Sequence, residues 1–96
     1  GIYREELPDI LLAVAALENL HLCGLMCIAP NYGDSEQARP LFREMYQLFQ
    51  QVRQMNVQTA DIRFLSMGMS HDYKVAVEEG ANIVRVGTAI FGQRQY

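Results

Sequence analysis

Two small polar segments near the C-terminal end of the chain each follow a short apolar stretch. Ser70 ends the sequence LSMGMS of residues 65–70, and Gly87-Thr88 follows the sequence NIVRV of residues 82–86. Where a strand passes through a small residue into a helix, unpaired backbone N–H groups at the helix start favour an anion. The pattern therefore predicts a phosphate site built from the ends of two consecutive strands.

Two such turns in succession also predict a fold. In a (β/α)8 barrel, the loops after the last two strands commonly bind phosphate. A barrel typically needs about 250 residues, whereas this chain has 96 and begins at Gly1. We therefore expect residues 1–96 to form a single partial domain, the C-terminal part of a (β/α)8 barrel.

The spacing of apolar residues predicts alternating helices and strands along the whole chain. A near-continuous apolar run from Leu22 to Ile28 is typical of a strand that is buried on both faces. Asp34 or Ser35 is a suitable cap for the long helix that follows. In chain order we expect helix 5–19, strand 22–28, helix 36–56, strand 62–65, helix 70–79, strand 83–86 and a helical turn 88–91. This order favours a parallel sheet.

Composition excludes several classes of function. Half of the residues are hydrophobic and 20% are charged, as in an ordinary folded α/β domain. The net charge is −3 and the basic residues are scattered, so we expect no nucleic-acid partner. No apolar run approaches the roughly 20 residues that a membrane span needs, so we expect no membrane partner.

The two cysteines, Cys23 and Cys27, are predicted to lie on one face of the same strand, about 13 Å apart. This distance is too long for a disulfide between them. Free thiols are typical of the reducing cytoplasm, where we expect the protein to act. With His21 and His71 far apart in sequence, we expect no metal site.

Four motifs spread over the chain resemble the C-terminal portion of the YggS/PROSC family of pyridoxal 5′-phosphate homeostasis proteins. They are GLMCIAP (24–30), RP-x-F-x-x-M-x-x-L-F (39–49), LSMGMS-x-D-x-x-x-A-V-x-x-G (65–80) and VRVGTAIFG-x-R-x-Y (84–96). The resemblance implies a barrel like the N-terminal domain of alanine racemase, which holds pyridoxal phosphate at the carboxyl ends of its strands.

The resemblance also implies a role for individual residues. Ser70 would bind the cofactor phosphate through its hydroxyl and backbone N–H, and Gly87 and Thr88 would add further donors. Arg85 would point at the pyridine nitrogen. Met69 would lie against the ring, although packing against the neighbouring core explains this methionine equally well.

Each of these residues has a simpler alternative. Ser70 could only cap a helix that starts at His71, and Gly68 could only allow close packing between strand and helix. His71 and Asp72 fit a solvated helix start better than a general base. Other polar and aromatic residues are interpreted as structural: Arg39, Arg43 and Arg53 on a solvated helix face, and Tyr73 and Tyr96 in packing.

The only lysine, Lys74, is expected to face solvent or to pair with Glu78. The lysine that carries the cofactor in the family ends the first barrel strand, which this chain does not match. A guanidinium at position 85 can only donate, so it keeps the pyridine nitrogen unprotonated and weakens the ring as an electron sink.

These observations favour a non-catalytic carrier that buffers pyridoxal phosphate and delivers it to apoenzymes. Two alternatives stay open. One is an enzyme of the alanine racemase type, and the other is a barrel that acts on sugar phosphates.

Overall fold

The structure is a computed structural model that describes residues 1–55 and 60–93. Its helices are α1 (Leu7–Ala15), α2 (Arg39–Gln54), α3 (Tyr73–Glu78) and α4 (Thr88–Phe91), and its strands are β1 (Leu22–Met26) and β2 (Ala60–Ser66). Short 3-10 turns at Arg4–Glu6 and Ser35–Ala38 lead into α1 and α2. The alternating order is confirmed from α1 to α3, and the final helical turn is confirmed as α4. The predicted helix end near Asn56 and the packing role of Tyr96 lie outside the described residues.

The two strands form a parallel pair, as predicted. Leu22 lies opposite Ala60 and Met26 opposite Ser66, with an irregular register near the start of β1. A parallel pair needs a long crossover connection, which α2 supplies. At Gly24 the two backbones approach so closely that a Cβ would clash with the Phe64 carbonyl oxygen. Glycine at this position therefore allows the two strands to pair.

The predicted strand over residues 83–86 is wrong as a regular strand, because only Ile83 forms an isolated parallel bridge, with Ser66. The side chain of Asn82 takes over part of the pairing. Its Oδ1 accepts from the Leu65 N–H at 2.8 Å, and its Nδ2 donates to the Arg63 carbonyl at 2.7 Å. The segment still lies along the end of β2.

The prediction for β1 is only partly right. The strand ends at Met26 rather than at Ile28, and it is half-buried rather than buried on both faces. Met26 is 62% exposed, and Ile28 is also exposed. The reason is that β2 is the only strand that pairs with β1 among the described residues, so the outer edge of β1 is uncovered.

The core forms where α2 packs on the sheet. Phe42, Phe49 and Val52 of α2 are buried, and so is Leu65 of β2. Asp34 is confirmed as the cap, because its Oδ1 accepts from the Glu36 N–H at 3.0 Å. The helix begins with a 3-10 turn, and the α-helical part starts at Arg39.

The interpretation of the α2 arginines as a solvated face is wrong for Arg39. Its guanidinium bonds to Glu36, Glu78 and Glu79 at 2.8 to 3.0 Å, and only a quarter of the side chain is exposed. Arg43 also bonds to Glu79 at 3.0 Å. Hydrogen bonds from Arg43 and Arg39 lower the pKa of Glu79. This network joins α2 to α3.

Within residues 1–55 and 60–93, no helix has the length and apolar character needed to cross a membrane.

We predict that the ion-pair network makes stability depend on pH in acid. Because the pKa of Glu79 is lowered in the folded state, its contribution is complete above the unfolded pKa, about 4.3. It is lost as pH falls through the lower folded value. Glu79→Gln should lower the urea midpoint at pH 7 and give a shallower decline toward pH 3. The control is Glu18→Gln, which alters an exposed residue, and an equally steep acid decline in Glu79→Gln would contradict the prediction.

We also predict that the 96-residue chain alone is weakly stable and self-associates. The uncovered edge of β1 offers unpaired backbone groups. Large apolar side chains are exposed, among them Leu12, Met26, Ile90 and Phe91. Thermal unfolding followed by circular dichroism should be broad and depend on concentration. A sharp, concentration-independent two-state transition would show that the chain is a stable domain by itself.

Candidate functional site

The turn after β2 depends on Gly68. Its φ of +108° lies in the left-handed region that side chains disfavour. A Cβ at this position would lie 2.8 Å from the Cβ of Ala76 and 3.1 Å from the Cα of Tyr73. The structure therefore supports the close-packing explanation for this glycine, which brings α3 against the end of the strand.

The helix predicted over residues 70–79 starts only at Tyr73, because Asp72 occupies the N-cap position. The Asp72 Oδ1 accepts from the Met69 N–H at 2.7 Å. Asp72 is 2% exposed, so the interpretation of this residue as part of a solvated helix start is wrong. The alternative in which Ser70 caps the helix is also wrong.

Ser70 instead joins the two turns that the sequence singled out. Its Oγ accepts hydrogen bonds from the N–H of Gly87 and from the N–H of Ala89, each at 3.1 Å. Gly87 is the N-cap of α4, and Ala89 lies in its first turn. One hydroxyl oxygen thus holds the start of α4 beside the end of β2.

A cavity of about 450 Å³ lies at this junction, and we call it the cradle. All five predicted site residues line it: Met69, Ser70, Arg85, Gly87 and Thr88. The other lining residues are His71, Phe91 and Gly92. Its volume is in the range of small-molecule sites. Phe91 was missed, although it lies one helical turn after Gly87 and Thr88.

The guanidinium of Arg85 has only part of the hydrogen bonding that burial requires. Its Nη2 donates to the Cys27 carbonyl oxygen at 2.8 Å. Its Nε is buried and has no hydrogen-bond partner among the described residues. Burial raises the pKa of the Cys27 thiol, and the nearby charge of Arg85 opposes this rise. The cradle therefore contains a fixed positive charge with donor capacity left over.

Lys74 is exposed, which confirms the expectation that it faces solvent. The other expectation, a pair with Glu78, is wrong because Glu78 bonds to Arg39. Lys74 lines a smaller polar cavity of about 300 Å³, next to the cradle, together with Ser35, Ser70, His71, Asp72, Tyr73 and Ala89.

Another cavity, of about 330 Å³, lies between the N-terminal turn, β1 and α2. It is mostly apolar, and its charged residues Arg4 and Glu44 pair with each other. The described residues contain no cluster of histidine, cysteine and carboxylate side chains that could hold a metal ion. The cradle is the cavity in which donors and a fixed charge converge, so it is the candidate site.

Comparison with known proteins identifies relatives that match the whole chain. Residues 1–95 match the family described as alanine racemase, N-terminal domain. Proteins named pyridoxal phosphate homeostasis protein from Aquifex aeolicus and Vibrio cholerae are both 43% identical to the chain, and the match covers all of it. The match covers 41% and 39% of those proteins, so the chain spans about two-fifths of their length.

Solved structures agree. PipY of Synechococcus elongatus, whose structure has PLP bound, is 36% identical, with a TM-score of 0.74. The match covers 93% of this chain and 40% of PipY. An unknown protein from Bifidobacterium adolescentis is 33% identical, with a TM-score of 0.86 over 95% of this chain and 36% of that one.

We predict that Gly68→Ala destabilises the protein by about 1 to 3 kcal/mol, because it adds both backbone strain and a clash with Ala76. The control is Gly33→Ala, since Gly33 also has a positive φ but has open space around it. Urea unfolding should show a larger loss for Gly68→Ala than for Gly33→Ala. Equal losses would mean that packing against α3 does not determine the residue at position 68.

Proposed function

Because the chain belongs to the alanine racemase N-terminal domain family, we propose that it forms the phosphate and pyridine-nitrogen side of a pyridoxal 5′-phosphate site. The names of its relatives and the PLP-bound PipY structure support this cofactor. When bound, pyridoxal phosphate supplies a reactive aldehyde and a ring that can accept electrons. The residues of the cradle determine how much of that chemistry is used.

The observation that carries the proposal is the pair of hydrogen bonds that Ser70 accepts. Two backbone N–H groups occupy the lone pairs of its Oγ, so its hydroxyl proton is left to donate elsewhere. Accepting two bonds also makes a hydroxyl a stronger donor. Ser70 thus fits a phosphate oxygen, and the hydroxyl of Thr88 offers a second donor in the same cavity.

The predicted role of Gly87 takes a modified form in this proposal. Its N–H donates to Ser70, so Gly87 acts on the phosphate through that hydroxyl. A Cβ at Gly87 would meet nothing within 4 Å, so it would project into open space. Without a side chain, Gly87 leaves the wall of the cradle open. Met69 forms part of the same wall, where a planar ring could lie against its thioether.

Arg85 favours a carrier over an enzyme. Its buried Nε has no partner among the described residues and fits an acceptor such as a pyridine nitrogen. An arginine keeps its proton at any ordinary pH, so that nitrogen would stay unprotonated and the ring would be a weak electron sink. We therefore propose a protein of pyridoxal phosphate homeostasis that holds the cofactor and releases it to apoenzymes, rather than a racemase.

We further propose that the chain is the C-terminal part of a (β/α)8 barrel whose other strands cover the outer edge of β1. The support is that the chain spans about two-fifths of its relatives and that this edge is uncovered among the described residues. The lysine that carries the aldehyde would then lie on the remaining part of the barrel. A cytoplasmic location stays a prediction.

We predict that Ser70→Ala weakens cofactor retention roughly ten- to hundredfold, the effect of losing one hydrogen bond to a charged group. The matched control is Ser66→Ala, four residues earlier at the end of β2 and outside the cavity lining. Retention is measured by titrating the intact protein with pyridoxal phosphate and following the visible absorption. Unchanged retention in Ser70→Ala would mean that the phosphate binds elsewhere.

A further inference from the structure

A buried carboxylate lies directly beside the cradle. The side chain of Asp72 is 1% exposed, and its Oδ1 is bonded to the Met69 N–H. The Oδ2 is buried and has no hydrogen-bond partner among the described residues. The Nε2 of His71 lies 3.3 Å from this Oδ2. His71 is therefore the side chain that approaches the unsatisfied oxygen.

His71 also reaches the anion site. It lines the cradle together with Ser70 and Thr88, and it lines the smaller polar cavity together with Asp72 and Lys74. Its side chain is 41% exposed, so it can exchange protons with solvent. Histidine is the residue type whose unperturbed charge change falls near neutral pH.

A phosphate ester in the cradle brings up to two negative charges close to the buried carboxylate of Asp72. Like charges at short range repel each other, and the repulsion is stronger where protein replaces water. A proton on His71 would place a positive charge beside Asp72 and in the lining of the cradle. Binding of the phosphate and protonation of His71 therefore favour each other.

We infer that His71 is a proton-coupled binding residue, which takes up a proton when a phosphate ester enters the cradle and releases it when the ester leaves. The inference rests on the proposed function of the cradle as a phosphate site. Affinity should rise as pH falls from about 8 toward 6, the range in which histidine gains its charge. The increase in affinity is lost again as pH rises, because His71 is then neutral in the complex.

Other charged groups near His71 do not explain such a dependence. Arg85 faces the cradle, and Lys74 faces the polar cavity. Both residue types stay protonated across this range, and the phenol of Tyr73 belongs to a type that stays neutral. Ser35, from the turn before α2, carries no charge. The phosphate itself titrates near pH 6, so the test must separate the ligand from the protein.

The test uses pyridoxine 5′-phosphate, which has no aldehyde and cannot bond covalently to a lysine. Its affinity for the intact protein and for His71→Gln is measured by calorimetry at pH 6, 7 and 8. Because titration of the ligand is common to both proteins, the ratio of their affinities isolates His71. We expect this ratio to rise about tenfold from pH 8 to pH 6, which corresponds to about 1.4 kcal/mol of extra attraction between the bound phosphate and the charged imidazole.

Two further measurements sharpen the result. Pyridoxine, which lacks the phosphate, should show no pH-dependent difference between the two proteins. Asp72→Asn keeps an oxygen to accept the Met69 N–H, and it should bind pyridoxine 5′-phosphate more tightly than wild type at pH 8. Parallel pH profiles of wild type and His71→Gln would overturn the inference and leave the proposed function standing. No binding by wild type at any pH would overturn both.

Discussion

The hydroxyl oxygen of Ser70 accepts two backbone hydrogen bonds, and the geometry of the site depends on this interaction. It ties the turn after β2 to the start of α4, across the segment that carries Arg85. Since α4 has only four residues and is exposed, few other contacts hold it in place. The same two bonds leave the hydroxyl proton unused, so in the proposed function one side chain both supports the cradle and serves as a donor within it.

Charges of both signs lie around the cradle. Arg85 supplies a permanent positive charge at one wall, while Asp72 places a buried negative charge beside the other. A site with both positive and negative charges binds an anion less strongly than a site with positive charges alone. Its affinity can also respond to a proton on a neighbouring residue such as His71. This balance is consistent with the proposed carrier role, in which the cofactor must also be released.

Much of this could be predicted from the sequence, because helix and strand periodicity and small residues at strand ends are local signals. The parallel pair and the convergence of Ser70 with Gly87 follow from them, whereas the position of Arg85 at the site was implied by the family resemblance. The side-chain bonds of Asn82, the burial of Asp72 and the ion pairs of Arg39 could not be predicted. Asn82 and Asp72 form hydrogen bonds with backbone groups through their side chains. Arg39 pairs with Glu78 and Glu79, which are distant from it in sequence.

A crystal structure of the intact protein with pyridoxal phosphate would show whether the cradle holds the phosphate while Arg85 faces the ring nitrogen. We expect a phosphate oxygen within hydrogen-bond distance of the Ser70 Oγ and the pyridine nitrogen within that distance of the Arg85 guanidinium. A cofactor whose phosphate lies away from Ser70, or whose ring nitrogen faces a carboxylate, would contradict it.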